Sequence, residues 1–243
     1  MERSVSAYSM SHDWSVEWTR LPSNLKAPGH VEIESERERR ALEAIAAVGL
    51  ASGRQLFQVF GLDKRRVRRM VGQKRLVRHE LRRAGKLAAV FTLGPGAGTY
   101  VPPGHMMNQW VGYPVEEVLK RILFFELYGM FPEGARVLPC ASPFTGAIFF
   151  KEKPYYVYAV RGDMEDLLSF MKWNRFGERV LVVTERLGHL KPLDLFLMQG
   201  EFKMRAITDG DLGKDLHAVL HRYERDGEAG AIRWLPERAM HGV

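Results

Sequence analysis

Apolar residues recur at helical spacing in the first clearly patterned part of the chain. In ESERERRALEAIAAVGL, one stripe of a helix would carry Ala41, Leu42, Ile45 and Val48. Ser35 precedes this stripe and Glu38 follows three residues later, which is the pattern of a capping box. The pattern predicts a helix that begins after Ser35 and ends near Gly49.

Two further short helices are predicted next. Ser52 is the candidate N-cap of the second helix, and Asp63 is the candidate N-cap of the third. The buried face of the second helix would carry Leu56, Phe57 and Phe60. The buried face of the third would carry Val67, Met70 and Val71. After Gly72 the spacing becomes strand-like on both sides of Ala84-Gly85, a dipeptide that favours a tight turn.

Three short helices followed by a hairpin are typical of a winged helix-turn-helix. The Gly- and Pro-rich segment 94–113 then predicts a linker. Beyond it, residues 114–131 predict a long helix that is buried over most of its circumference. Strands are predicted at 135–140, 146–150, 155–160, 179–184 and 203–208. Helices are predicted in DMEDLLSFMKWNRF and, as the last element, in DLGKDLHAVLHRYERD.

Positive charge is concentrated in the third helix and the hairpin. The formal net charge of the 243 residues is +7, but residues 62–91 alone hold eleven Lys or Arg against Asp63 and Glu80. The rest of the chain is therefore close to neutral, and a local basic surface of this kind favours a polyanionic partner. Arg outnumbers Lys, and the planar guanidinium suits bidentate contacts with guanine or phosphate.

Double-stranded DNA is the predicted partner of this stretch. The candidate DNA-binding residues are Lys64, Arg65, Arg66, Arg68, Arg69, Lys74, Arg75, Arg78, Arg82, Arg83 and Lys86. Arg65, Arg66 and Arg69 are the candidates for the major groove. Arg78, Arg82, Arg83 and Lys86 are the candidates for a wing that follows the phosphates. An exposed basic face that contacts an acidic protein or RNA is the alternative.

Composition limits the other function classes. Cys140 is the single cysteine, so no intrachain disulfide can form, and the scattered histidines predict no structural zinc site. No apolar run reaches 18 residues and the N-terminus lacks a signal-peptide pattern, so we expect a cytoplasmic protein without membrane association. The sequence predicts no cofactor, no metal and no catalytic residue.

The order of elements resembles the replication-relaxation family of Gram-positive plasmids and mobile elements. The resemblance covers roughly residues 36–220 and includes the linker, the long helix and a strand hairpin that leads to Arg161-Gly162 and Asp163 in RGD-x-x-D-L-L. It implies a restriction-endonuclease-like α/β domain after the winged helix, and a role in replication, transfer or transcription. A homodimer is expected because winged-helix proteins often bind paired half-sites, and replication or transfer proteins are candidate partners.

The acidic positions of the family pattern are replaced here. Thr145 stands where the first Asp is expected, and Tyr158 and Val160 stand where the strand carboxylates are expected. Mg²⁺ prefers oxygen ligands and is usually held by carboxylates, so the nuclease-like domain is predicted to be inactive. A metal-dependent DNA nuclease with relocated carboxylates, from Glu152, Asp163 or Glu165, is the enzymatic alternative.

The predicted organisation therefore has five parts. They are a flexible N-terminal arm (1–33), a winged helix-turn-helix (34–93), a linker (94–113), a nuclease-like α/β domain (114–226) and a C-terminal tail (227–243). The fold class is α+β or α/β.

Overall fold

The computed structural model describes residues 6–22, 25, 35–100, 108–200, 202–226 and 231–237. The protein is a mixed α+β chain with two compact units. One unit is Met10–Phe125, and the other combines Met1–Ser9 with Glu126–Val243.

The unit Met10–Phe125 holds a small antiparallel sheet, three helices that precede its hairpin and most of a fourth helix that follows it. Its elements are β1 (Trp14–Glu17), α1 (Glu36–Val48), β2 (Ala51–Ser52), α2 (Gly53–Gln58), α3 (Lys64–Gly72), β3 (Leu76–Arg83), β4 (Lys86–Leu93) and most of α4 (Val115–Tyr128). The strand order is β1-β3-β4-β2. Ala84 and Gly85 both have positive φ, as a two-residue hairpin turn requires, so the predicted hairpin is confirmed.

Side-chain caps begin the three short helices where the sequence predicts them. Ser35 and Glu38 form a reciprocal capping box on α1, and Ser52 and Gln55 form another on α2. Asp63 Oδ1 accepts the backbone N–H of Arg66 at 2.7 Å, which caps α3. These caps are local interactions, which explains why the short helix boundaries follow from the sequence.

The N-terminal segment differs from the predicted flexible arm. Residues 14–17 form β1, which pairs antiparallel with residues 80–83 of β3. The physical reason is the alternation in Trp14-Ser15-Val16-Glu17, where the two apolar residues are half-buried and the two polar residues are exposed. Residues 1–5, 23, 24 and 26–33 of the arm lie outside the described residues.

The predicted linker is partly packed structure. A Cβ at Gly94 would lie 2.2 Å from the carbonyl oxygen of Lys74, so only glycine permits this close approach of two backbones. Trp110 is buried, and its Nε1–H donates to the carbonyl of Thr19 at 3.1 Å. Residues 101–107 of the linker lie outside the described residues.

The second unit contains a seven-stranded sheet. Its elements are β5 (Arg136–Leu138), β6 (Gly146–Phe150), β7 (Lys153–Ala159), α5 (Glu165–Trp173), β8 (Arg179–Thr184), α6 (Asp194–Gln199), β9 (Lys203–Thr208), α7 (Leu216–Val219), β10 (His221–Asp226) and β11 (Ala231–Pro236). The strand order is β11-β10-β9-β8-β7-β6-β5, with β7, β8 and β9 parallel and the other pairs antiparallel.

One face of this sheet carries an apolar core. The helices α5 and α6 connect the parallel strands and contribute Leu167, Met171 and Leu197 to it. The strands contribute Tyr158, Val160, Val180, Val182, Met204 and Ala206. Residues 180–183 of β8 are buried, as the continuous apolar run predicts for a strand covered on both faces.

The last predicted helix, at 211–226, is wrong except for the single turn Leu216–Val219. α7 ends at Val219, and residues 221–226 form β10, which pairs with β11. β11 lies within the predicted C-terminal tail, so the sheet extends past residue 226. Two six-residue strands exchange backbone hydrogen bonds here, and this nonlocal pairing overrides the helical spacing of the leucines. Among the helices that the structure describes, none is long and apolar enough to cross a membrane.

Candidate nucleic-acid interface

The structure divides the eleven predicted DNA-binding residues into three groups. Arg66, Arg69 and Arg75 contact the carboxylate of Glu38. Arg78, Arg82 and Arg83 contact carboxylates or an aromatic ring on the small sheet. Lys64, Arg65, Arg68, Lys74 and Lys86 are exposed, and within the described residues their side chains form no ion pair or hydrogen bond.

Glu38 is a buried carboxylate that organises the first group. Its side chain is 1% exposed, and its Oε2 lies 3.2 Å from Nη1 of Arg75, which is also buried. Its Oε1 lies 3.3 Å from Nε of Arg66 and 3.1 Å from Nη2 of Arg69. Arg75 is therefore a structural residue rather than a surface contact, and it is removed from the candidate interface. Arg66 and Arg69 keep partly exposed guanidinium groups, but both are tied to α1.

Charges on the hairpin are largely compensated. Arg78 Nη2 lies 3.3 Å from a carboxylate oxygen of Glu80, and Arg82 Nη2 lies 3.3 Å from the other oxygen of Glu80 and 2.8 Å from Glu17. Arg83 lies over the ring of Trp14, at 5.6 Å from its centroid. β1 thus supplies contacts for two of the arginines that the sequence assigns to a DNA-binding wing, Arg82 and Arg83.

The exposed side of α3 carries three cations that form no ion pair or hydrogen bond with any of the described residues. Lys64, Arg65 and Arg68 lie within an arc of about 100° on this helix. Val67 and Met70 lie on the opposite side and are buried. We call Lys64, Arg65 and Arg68 the α3 basic surface. Exposed cations on a helix whose apolar side is packed are free to contact phosphates.

A groove of about 1000 Å³ adjoins the α3 basic surface. Its walls come from α2, α3 and the hairpin, and include Lys64, Arg68, Arg78 and Arg54. Its apolar lining includes Phe57, Leu62, Val67, Val71 and Phe91. The sequence predicts Phe57 on a buried face, yet its side chain is 63% exposed. Arg54 also lines the groove, although the sequence analysis did not select it. Its position three residues before Phe57, on the same helix, could have indicated that the two side chains lie on one face.

His79 fixes the N-terminal segment against the small sheet. Thr19 donates its backbone N–H to Nδ1 of His79 at 3.0 Å, so Nε2 carries the proton and donates to Oγ1 of Thr92 at 2.9 Å. Trp18 and Trp110 contact the imidazole at centroid distances of 4.8 and 5.4 Å. Burial lowers the pKa of His79 to about 4, so the ring is neutral at physiological pH.

Two of the three residues that stand at the expected carboxylate positions, Tyr158 and Val160, lie in apolar surroundings. Tyr158 and Val160 belong to the core of the second unit, and the Tyr158 hydroxyl donates to Oδ1 of Asp166 at 2.6 Å. Thr145 Oγ1 lies 3.4 Å from the backbone N of Ala159. In the part of the chain that the structure describes, no group of three His, Cys, Asp or Glu is placed to hold a metal ion.

Comparison of the whole chain with protein-family models, with curated proteins and with solved structures finds no match.

Proposed function

We propose that this protein binds double-stranded DNA without catalysis, through a winged helix-turn-helix formed by residues 35–93. The elements α1, β2, α2, α3, β3 and β4 follow one another in the order expected of this motif, with α3 as the recognition helix. The hairpin of β3 and β4 is the wing, and β2 pairs with β4 beside it.

The α3 basic surface is the observation that carries this proposal. Lys64, Arg65 and Arg68 share the solvent side of the helix, whereas Arg66 and Arg69 hold it to α1 through Glu38. Three cations that have no partner among the described residues repel one another on one exposed face, and an anionic ligand removes this repulsion. Lys74 and Lys86, which also have no partner among the described residues, extend the positive charge to the end of α3 and to the hairpin tip.

Phosphate contacts would then supply most of the affinity. Each neutralised phosphate releases condensed counterions, so the affinity falls steeply as the salt concentration rises. The guanidinium groups of Arg65 and Arg68 are the candidates for bidentate contacts with guanine in the major groove. Compared with the sequence-based assignment, Arg68 takes the place of Arg66 and Arg69 as a base-reading candidate.

The second unit is proposed as a nuclease-like domain that has lost its metal site. Support comes from the order of α4, the strand hairpin β6–β7 and the helix α5 after Arg161-Gly162, on which the family resemblance rests. Tyr158 and Val160 are buried in the apolar core, and neither side chain offers a carboxylate oxygen to Mg²⁺.

A role in plasmid or mobile-element replication, transfer or transcriptional regulation is proposed from the same resemblance. A homodimer would present two copies of α3 to paired half-sites, about one helical turn of DNA apart. Replication or transfer proteins remain the proposed protein partners.

Electrophoretic mobility shifts test the proposal directly. The purified full chain is titrated against double-stranded DNA of its own replicon and against RNA of matched length, at several salt concentrations. We expect binding to the duplex DNA with a strong salt dependence, and weaker binding to RNA. Absence of duplex binding even at low salt would overturn the proposal.

A second assay separates binding from cleavage. Supercoiled DNA is incubated with the protein and Mg²⁺ or Mn²⁺, and we expect no nicking. Nicking that disappears in Asp163→Ala would instead support the nuclease with relocated carboxylates, since Asp163 is an exposed carboxylate close to the expected site.

An interaction adaptor is the second candidate, favoured by the exposed Phe57 beside the groove. Its cationic walls and apolar floor suit a peptide with acidic and apolar side chains. Phe57→Ser should abolish capture of such a partner and leave DNA binding within about twofold, because Phe57 lies on α2 rather than on the α3 basic surface.

A further inference from the structure

A second groove lies on the seven-stranded sheet, within the unit Met1–Ser9 and Glu126–Val243. It encloses about 570 Å³, in the size range of small-ligand sites. Phe131, Phe150 and Tyr155 form an aromatic wall, in which Phe131 meets the other two rings at centroid distances of 5.9 and 5.8 Å. These three side chains are only partly buried, so ring surface is open to the groove.

The neighbouring wall is cationic. Tyr155, Arg179 and Lys203 occupy matched positions on the adjacent parallel strands β7, β8 and β9. Neighbouring strands are about 4.8 Å apart, so the backbones that carry Arg179 and Lys203 are direct neighbours. Like charges at matched positions of two strands are unfavourable. Within the described residues, neither side chain forms an ion pair.

Arg205 continues the cationic wall two residues further along β9. Its Nε lies 2.9 Å from a carboxylate oxygen of Glu237, so its charge is compensated. Arg179 lies over the ring of Tyr155, at 5.9 Å from the centroid. Among the described residues, the groove therefore holds two uncompensated cations beside three aromatic rings. A ligand that contacts both walls needs a flat ring and an anionic group.

We propose that this groove binds an unpaired nucleotide, with its base against Phe131, Phe150 and Tyr155 and its phosphate at Arg179 and Lys203. Aromatic side chains that stack on bases, beside cations that contact the backbone, are the usual means of binding single-stranded nucleic acid. The same chemistry is present in a free mononucleotide. The site is separate from the α3 basic surface, and this inference does not depend on duplex binding there.

Fluorescence anisotropy with a labelled single-stranded oligothymidylate of about 12 nucleotides tests the inference. The full chain carries Arg65→Ala and Arg68→Ala, so that the α3 basic surface contributes little to the signal. In this background Lys203→Glu should weaken binding by about tenfold, because it replaces an attractive charge by a repulsive one. Lys203 is exposed, so the change should leave the fold intact.

Lys172→Glu is the matched control. Lys172 is an exposed lysine on α5, which packs on the opposite face of the sheet, and it does not line the groove. Its reversal should change binding less than about twofold. Tyr155→Leu tests the aromatic wall and should weaken binding by about fivefold or more, since it removes a stacking surface.

Unlabelled thymidine monophosphate distinguishes the two sources of the ligand. Displacement of the oligonucleotide by the monophosphate would identify a mononucleotide site, whereas displacement only by unlabelled oligonucleotide would identify a strand-binding site. The inference is overturned if the oligonucleotide does not bind, or if Lys203→Glu and Tyr155→Leu bind as tightly as the Lys172→Glu control. If Arg65→Ala/Arg68→Ala abolishes duplex binding, that outcome concerns the α3 basic surface and does not change the test of single-strand binding in the groove.

Discussion

The carboxylate of Glu38 lies 3.2 Å from the guanidinium of Arg75, and both side chains are almost fully buried. Glu38 also caps α1 and contacts Arg66 and Arg69 of α3. Glu38→Gln would leave the Arg75 charge buried beside a neutral amide, and removing one partner of a buried ion pair costs about 3–5 kcal/mol. We expect the free energy of unfolding, measured by urea denaturation, to fall by about that amount.

Glu43→Gln is the control for this prediction. Glu43 pairs with Arg39 on the exposed side of α1, with both side chains nearly half exposed. Exposed pairs of this kind contribute about 0.5 kcal/mol or less. Equal stability of the two variants would show that Glu38 does not organise α1 and α3.

Stability should fall as the pH is lowered from about 6.5 to about 4, because of His79. Burial lowers its pKa in the folded protein to about 4. Between these pH values the unfolded chain binds a proton that the folded chain does not, which favours unfolding by up to about 3 kcal/mol. The contribution is fully present above pH 6.5 and lost below pH 4. Urea denaturation at a series of pH values measures it.

His79→Gln removes this titration. Its stability should vary less over the same pH range than that of the parent protein, although its stability at neutral pH is lower because the contacts with Thr19 and Thr92 change. An unchanged pH dependence would mean that carboxylates, and not His79, dominate acid unfolding.

Arg65→Ala combined with Arg68→Ala should weaken duplex binding and reduce its salt dependence. Two lost phosphate contacts would lower the slope of log K against log salt by about 2. Both side chains are exposed and unpaired within the described residues, so the melting temperature should change by no more than about 2 °C. Binding isotherms at a series of salt concentrations give the slope.

Lys172→Ala combined with Arg175→Ala provides the charge-matched comparison. These residues are exposed, at the end of α5 and just after it, so the same loss of charge occurs away from α3. If both double variants lose the same affinity and slope, net charge rather than the α3 basic surface determines binding.

Asp209→Asn should destabilise the second unit. Asp209 is buried with Arg161, forms an ion pair with it, and accepts a hydrogen bond from Oγ of Ser6 at 2.7 Å. The substitution leaves Arg161 buried without a carboxylate, so we expect a loss of about 3 kcal/mol in urea denaturation. Asp163→Asn, at an exposed carboxylate, should cost less than about 0.5 kcal/mol. Similar losses in the two variants would contradict this assignment.

The parts of the fold that depend on local interactions could be predicted from the sequence. The caps at Ser35, Ser52 and Asp63, and the turn at Ala84-Gly85, depend on neighbours within three residues. Apolar periodicity also located the central strands of the large sheet. In each case, the residues that determine the cap, turn or strand are close neighbours in the sequence.

Pairings between distant segments could not be predicted in the same way. The leucines around Leu216 and Leu220 suggested a longer helix, whereas β10 forms because β9 and β11 supply hydrogen-bond partners. The assignment of Arg75 to the surface failed because Glu38 is 37 residues away in the chain. A high local content of arginine in the sequence indicates positive charge. It does not indicate which guanidinium groups already form ion pairs with carboxylates of the same protein.

The position of β1 has a consequence for shortened forms of the protein. β1 covers the outer backbone edge of residues 80–83, the second half of the eight-residue strand β3, which would otherwise offer free N–H and C=O groups there. Such an uncovered edge is a template for pairing with strands of other molecules. A chain trimmed to begin after residue 22 is therefore expected to self-associate, so the N-terminal residues protect the protein against aggregation.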